Sequence, residues 1–156
     1  YRPLKMGSSP TFSYRYARLS GDDPATARFE RFDPLLGGGT IDTWANSFSF
    51  AFALPNSNLH LHRLRADIVP NSQTKISAQY VHLSADNTWN LGGAAPLSVL
   101  TSKTYGQELG IAGQYFVNRN TILIGAASYS VPGAAFKAVD ARKGWLYLQF
   151  GVLYAF

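Results

Sequence analysis

A chain of 156 residues fits one domain with room for a core. No run approaches the roughly 18 apolar residues of a membrane helix, which excludes a helical membrane protein; a β-barrel, whose lipid face uses every second residue, stays open at a mean hydropathy of −0.08. The net charge of +5 comes without a dense Lys/Arg run or any zinc-finger, RNP-type or helix-turn-helix pattern, which argues against nucleic acid, and the absence of cysteine rules out disulfides and thiolate metal sites.

Segments of about ten residues with period-two alternation recur along the chain, the pattern of strands with two unlike faces. Thr11–Leu19 sets Phe12, Tyr14 and Tyr16 against Ser13, Arg15 and Ala17. Thr43–Leu59 alternates Phe48, Phe50, Phe52 and Leu54 like a strand, yet Trp44, Phe48 and Phe52 also fall at helical spacing; an excursion of a long loop is the favoured expectation over 44–54. Asn58–Ile68 sets Leu64, Ala66 and Ile68 against Arg63, Arg65 and Asp67, and Gln73–Leu83 sets Ile76, Ala78 and Tyr80 against Lys75, Ser77 and Gln79. In Gly106–Val117, Leu109, Ile111, Gly113 and Tyr115 oppose Glu108, Gly110, Ala112 and Gln114. Thr121–Ser130 is apolar on both faces, so its register stays open. Gly144–Phe156 closes the chain with Leu146, Leu148, Phe150, Val152, Tyr154 and Phe156 all apolar or aromatic. That is the dyad pattern of a transmembrane strand. Its Phe150, Val152, Tyr154 and Phe156 resemble the terminal signal that outer-membrane barrel assembly machinery reads.

The connections alternate in length. Val69–Ser72 and Val117–Asn120 are tight turns with Pro and Asn punctuation, whereas residues 20–57, 84–105 and 131–143 are long links. Short turns on one side and long loops on the other is the outer-membrane barrel habit, and the short side, with Phe156, is then periplasmic. Six or seven strands are fewer than the eight of the smallest such barrels, and an open edge in lipid costs several kcal/mol per unpaired group. The expectation is an all-β fold: residues 1–156 as the C-terminal part of a larger antiparallel transmembrane β-barrel in the bacterial outer membrane. The absence of a leader before Tyr1 fits either removal of that segment or a longer parent chain.

Several stretches resemble the alginate-export family of outer-membrane proteins. Tyr14–Leu35 carries a strand, Gly-Asp-Asp-Pro and Phe-Asp-Pro-Leu; Leu54–Leu64 carries Asn-Ser-Asn-Leu followed by His; Tyr105–Phe136 carries the Gly-x-Glu strand, the Asn-x-Asn turn and Pro-Gly-x-Ala-Phe. Where the family often has Glu-x-Asp after the Gly, this chain has Glu108 and then Gly110. The resemblance implies an eighteen-stranded barrel with an electropositive conduit, of which this chain would be the C-terminal third.

If the apolar faces meet lipid, the opposite faces line a lumen with Arg15, Arg63, Arg65, Asp67, Lys75, Gln79, Glu108 and Gln114. Rings of Arg or Lys favour anions, and a guanidinium grips a carboxylate in bidentate fashion. Arg15, Arg63, Arg65, Lys75 and Glu108 are therefore candidate pathway residues for an anionic polysaccharide, a polyuronate with one carboxylate per sugar. Structural pairing within the wall, as between Arg65 and Asp67, is the competing role. Asp22, Asp23, Glu30 and Asp33 can gather a calcium ion, though such clusters are more often solvated loops with Asx-turns. His60, His62 and His82 lack a metal spacing and suit packing at an aromatic belt. No cofactor is implied and no nucleophile–base–acid set stands out, so the expected function is a porin-like channel and not an enzyme. The alternative is a small β-barrel with a binding or structural role.

Overall fold

The computed structural model describes residues 7–32, 47–50, 54, 57–89, 97–140 and 143–156. Each alternating segment forms a strand: β1 (Gly7–Leu19), β2 (Leu59–Asn71), β3 (Thr74–Ser84), β4 (Thr104–Phe116), β5 (Thr121–Pro132) and β6 (Trp145–Tyr154). One 3-10 turn, Ala134–Val139, lies between β5 and β6. The strands pair in chain order, each antiparallel to the next, in a single open sheet whose described edges are β1 and β6.

The two short connections are closed by Asn side chains acting on their own backbone. The Gln73 N–H donates to Asn71 Oδ1 at 2.9 Å, and the Asn120 N–H donates to Asn118 Oδ1 at 2.9 Å. The chain end returns to the second turn: the Ala155 N–H donates to the Asn120 carbonyl at 2.9 Å, and Asn120 Nδ2 donates to the Ala155 carbonyl at 2.6 Å.

Register decides which face each side chain takes, because neighbours across a ladder point the same way. One row crosses all six strands as Tyr14, Leu64, Tyr80, Leu109, Tyr129 and Leu146. Every member is exposed, as are Phe12, Ile111, Tyr115, Leu123, Leu148, Val152 and Tyr154, and Phe150 reaches 83% exposure. Pairing with β4 also fixes β5, whose Leu123, Ala127, Tyr129 and Val131 share this outward face. A continuous exposed apolar surface of this kind marks a face that meets a membrane or another protein.

The larger buried core sits on the other, inward, face toward the long-loop end. There Leu59, Leu61, Val81 and Leu83 pack beneath Phe50, Leu54, Leu97, Leu100, Ala135 and Phe136. A bulge feeds this core: Leu83 faces Gly106 while Ser84 faces Thr104, so Tyr105 is the extra residue of β4 and is fully buried. Gly106 adopts φ +143°, and a Cβ there would collide with the Val131 carbonyl. The Phe50 ring lies 5.7 Å from that of Phe136 and 5.1 Å from that of Trp145, in tilted and edge-on geometry.

The described part of 44–54 is not a strand of the sheet. β1 pairs directly with β2, while Ser47–Phe50 lies buried against the inward face and the Leu54 N–H donates to the Phe50 carbonyl at 2.9 Å, a helical bond. The loop excursion expected from sequence is what these residues form, and it turns inward.

Phe50→Ala should loosen the long loops, because removing a buried Phe ring costs about 3–5 kcal/mol. Limited proteolysis of the purified protein should cut those loops faster than in wild type, and faster than in Phe150→Ala, which removes an outward ring. Equal cutting of all three would contradict the packing described.

Candidate functional site

Below the apolar cap the inward face turns polar, in rows set by register. One row reads Arg15, Arg63, Val81, Glu108, Ser130 and Trp145 across the sheet; the next reads Ser13, Arg65, Gln79, Gly110, Ser128 and Tyr147; a third reads Thr11, Asp67, Ser77, Ala112, Ala126 and Gln149. Lys75 and Gln114 oppose one another nearer the short turns. All five candidate pathway residues therefore share one face.

Their environments differ. Arg15 and Arg63 are directly opposed in register, which brings two guanidinium groups onto adjacent strands at one level. Arg15 is half-buried, Arg63 buried. Arg65 binds Asp67 in a fork, with Nε donating to Oδ1 at 3.1 Å and to Oδ2 at 3.0 Å, and Nη2 donating to Oδ1 at 3.0 Å. Ser77 Oγ donates to Asp67 Oδ1 at 2.6 Å and accepts from Arg65 Nη2 at 2.9 Å. Lys75 Nζ stands 3.7 Å from the same carboxylate. Arg65 thus takes the structural pairing anticipated for it, and Lys75 stands at the edge of that cluster.

Glu108 is the most enclosed of the set, at 1% exposure. Its Oε1 accepts from the Phe48 N–H at 2.8 Å, and its Oε2 accepts from the Ser49 N–H at 2.8 Å and Ser49 Oγ at 2.7 Å. Ser47 Oγ, Ser130 Oγ and Ser128 Oγ stand at 3.1, 3.1 and 3.3 Å from Oε2. Six donors surround a group with about four lone-pair sites, so the carboxylate is saturated and its hydroxyl partners share it. Beside it, Phe48 rests on the small residues Gly110, Ala112 and Ala126 and against Tyr147. A Cβ on Gly110 would stand 2.5 Å from the Phe48 ring. The floor of small side chains and the buried acid form one receptor for the inward-turned segment.

Sequence reasoning placed Glu108 on this face without its partners. The serines that hold it belong to no motif singled out in the sequence. Their positions carry a signal all the same: Ser128 and Ser130 alternate on the strand beside Glu108, and Ser47 and Ser49 alternate in the loop.

The loop acids serve the loop. Asp22 Oδ1 accepts from the Glu30 N–H and Asp23 Oδ1 from the Ala25 N–H, both at 2.9 Å, the second closing an Asx-turn. Asp33 lies outside the described residues. Among the described residues no group of three His, Asp or Glu is placed to hold a metal ion.

The histidines pack on the outward face at the long-loop end, as their spacing suggested. Tyr14 Oη lies 2.8 Å from His62 Nδ1, Tyr16 Oη lies 3.2 Å from His60 Nδ1, and the His62 and His82 rings are 6.4 Å apart. Asp86 joins them to the loops: His60 Nε2 and Arg18 Nε reach its Oδ1 at 2.6 and 2.8 Å, and the Gly21 N–H donates to its Oδ2 at 3.1 Å. Burial alone would push the Asp86 carboxyl up; the hydrogen bonds from His60, Arg18 and Gly21 outweigh it and hold the group down at about 2.

A family model described as alginate export matches residues 1–144. No curated protein and no solved structure shows a significant match to the chain.

Asp86 generates a prediction with a definite sign. A carboxyl depressed in the folded protein stabilises above the ordinary range near 4 and loses that contribution as pH falls through its folded value of about 2. Loop resistance to an acid-tolerant protease should therefore hold from neutral pH into the ordinary carboxylate range and fall toward pH 2. Asp86→Asn should show weakened resistance at neutral pH and little further loss in acid. A variant that matched wild type throughout would contradict the clasp.

Proposed function

The chain belongs to the alginate-export family, and from that premise we propose that its sheet is the C-terminal part of a closed outer-membrane β-barrel conducting an anionic polysaccharide such as alginate or its oligomers. The observation that carries this reading is the division of one sheet into two faces. The outward face offers hydrocarbon-compatible side chains from edge to edge, and the inward face carries Arg15, Arg63, Arg65 and Lys75. A cation placed outward near the bilayer midplane would cost about 2–4 kcal/mol, so the arrangement suits lipid outside and water inside.

The open edges on β1 and β6 require partners within a membrane, because unpaired backbone in lipid is costly. Further strands of the same barrel are the partners that complete the ladder. The long-loop end then faces the cell exterior and the two tight turns face the periplasm. β6, with Phe150, Val152 and Tyr154 outward and Phe156 beyond it, is the segment offered to the assembly machinery.

Within the conduit, Arg15 and Arg63 present a cationic pair at one level, and Lys75 a third positive charge toward the periplasmic end. Carboxylates of a uronate chain would pass from one to the next. Gln114 supplies a neutral hydrogen-bonding group to sugar hydroxyls, which keeps the grip weak enough for release. The reading calls for transport alone, with no reaction and no cofactor.

Ion selectivity tests it. Arg15→Glu combined with Lys75→Glu in the complete barrel should shift the reversal potential in planar bilayers toward cations and slow polyuronate passage. The shift should shrink as salt is raised, since the Debye length falls from about 8 Å at physiological ionic strength to about 3 Å at 1 M. An unchanged reversal potential in a correctly inserted barrel would contradict the proposal.

Assembly gives an independent check. Phe156→Ala and Tyr154→Ala should each lower the yield of heat-modifiable, membrane-inserted protein more than Gln149→Ala does, because Gln149 points inward and bonds Tyr147. Equal yields would remove the terminal signal from the account.

A further inference from the structure

The conduit reading leaves Glu108 unexplained. An acid on the wall of an anion pathway repels the cargo, and this one is buried too deeply to meet it. What it touches instead is a loop. Two backbone N–H groups and two hydroxyls of Ser47–Ser49 converge on its carboxylate, while Ser128 and Ser130 hold it from the side of β5. Hydrogen bonds to a charged group contribute about twice as much as neutral ones. Breaking them would leave buried donors and a buried acid together without partners.

We propose that Glu108 is a positioning residue for transport, a latch that fixes the inward-turned Ser47–Phe50 segment against β4 and β5 and so keeps the bore of the conduit constant at that level. The inference rests on the conduit reading and adds to it. Three features on separate strands and loops converge on the same seat. The acid supplies the polar anchor. Gly110, Ala112 and Ala126 leave room for the Phe48 ring, and Phe50 inserts among Phe136 and Trp145 on the loop-end side. Held at these points, the segment narrows the passage as a fixed constriction and not as a swinging gate. The cationic residues Arg15 and Arg63 lie in the same row as Glu108, three and two strands away. Latching the loop therefore also fixes the distance between those cations and the opposite boundary of the passage.

Single-channel recording of the complete barrel tests the latch. Wild type should carry a steady current at one level. Glu108→Gln keeps the shape but turns an amide NH2 toward donors, and Glu108→Ala removes the anchor; in both, current variance should rise severalfold as the segment leaves its seat. This chain has no cysteine, so a Ser49→Cys, Ser130→Cys pair can be added to Glu108→Ala. Oxidising that pair should restore the quiet level, and reduction should abolish it again, a reversal that general destabilisation would not produce. Gly110→Leu, which drives the Phe48 ring off the wall with Glu108 intact, should reproduce the noise and decides the matter if the Glu108 variants do not insert. Quiet, wild-type currents in inserted Glu108 variants, or in Gly110→Leu, would overturn the latch and leave the channel standing. A wild-type barrel that carries no current would overturn the channel reading itself.

Discussion

An antiparallel ladder allows each side chain only two directions, and the rest of this structure depends on how that choice is used. Because register is continuous from β1 to β6, the outward row of alternating Tyr and Leu and the inward row from Arg15 to Glu108 are consequences of the same pairing. A slip of one residue in β2 would turn Arg63 and Arg65 toward the apolar exterior and Leu64 toward the polar interior. Were that exterior lipid, each misplaced cation would cost about 2–4 kcal/mol near the bilayer midplane. Two tight Asn-closed turns hold the register from one end, and the tie between Asn120 and Ala155 extends that hold to the last strand.

The inward face is itself divided. Toward the long loops it is greasy, and loops fold over it to bury Leu59, Leu61, Val81 and Leu83. Below that level it is charged and amidic, with one acid committed to the loop and one, Asp67, committed to Arg65. The protein thus has two apolar surfaces with different fates: one is left for the surrounding phase, the other is covered by its own chain. Glu108 sits at the boundary between the two, where Ser47, Phe48 and Ser49 of the loop meet it.

Much of this was legible in the sequence. Period-two alternation located five of the six strands and a short run apolar on both faces the other, the contrast of tight and long links placed the loops, and the unlike faces of Asn58–Ile68 separated Leu64 and Ala66 from Arg63 and Arg65. β5 stayed ambiguous because Ile122, Leu123 and Ile124 are apolar on both faces, and only pairing with β4 resolves it. A further signal lay unused in the parity itself. In β2 the apolar residues are odd at Leu59 and Leu61 but even at Leu64, Ala66 and Ile68; in β3 they are even at Ile76, Ala78 and Tyr80 but odd at Val81 and Leu83. A hydrophobic pattern that changes face along one strand means that something covers the second face, which is the folded-in loop. The loop partners of Glu108 were not legible, because their meeting depends on a loop path some sixty residues away in sequence, with separations of 59 to 61.

The claim on which the account turns is that the outward face meets lipid and the inward face meets water, and β4 allows a direct measurement. Cysteines placed singly at Ile111 and Gln114, on opposite faces of that strand, can be challenged with a water-soluble maleimide after reconstitution of the complete barrel into liposomes. The account predicts rapid labelling at 114 and protection at 111, with 111 becoming reactive once the protein is unfolded. Labelling of 111 at the rate of 114 in the folded, membrane-inserted protein would contradict it.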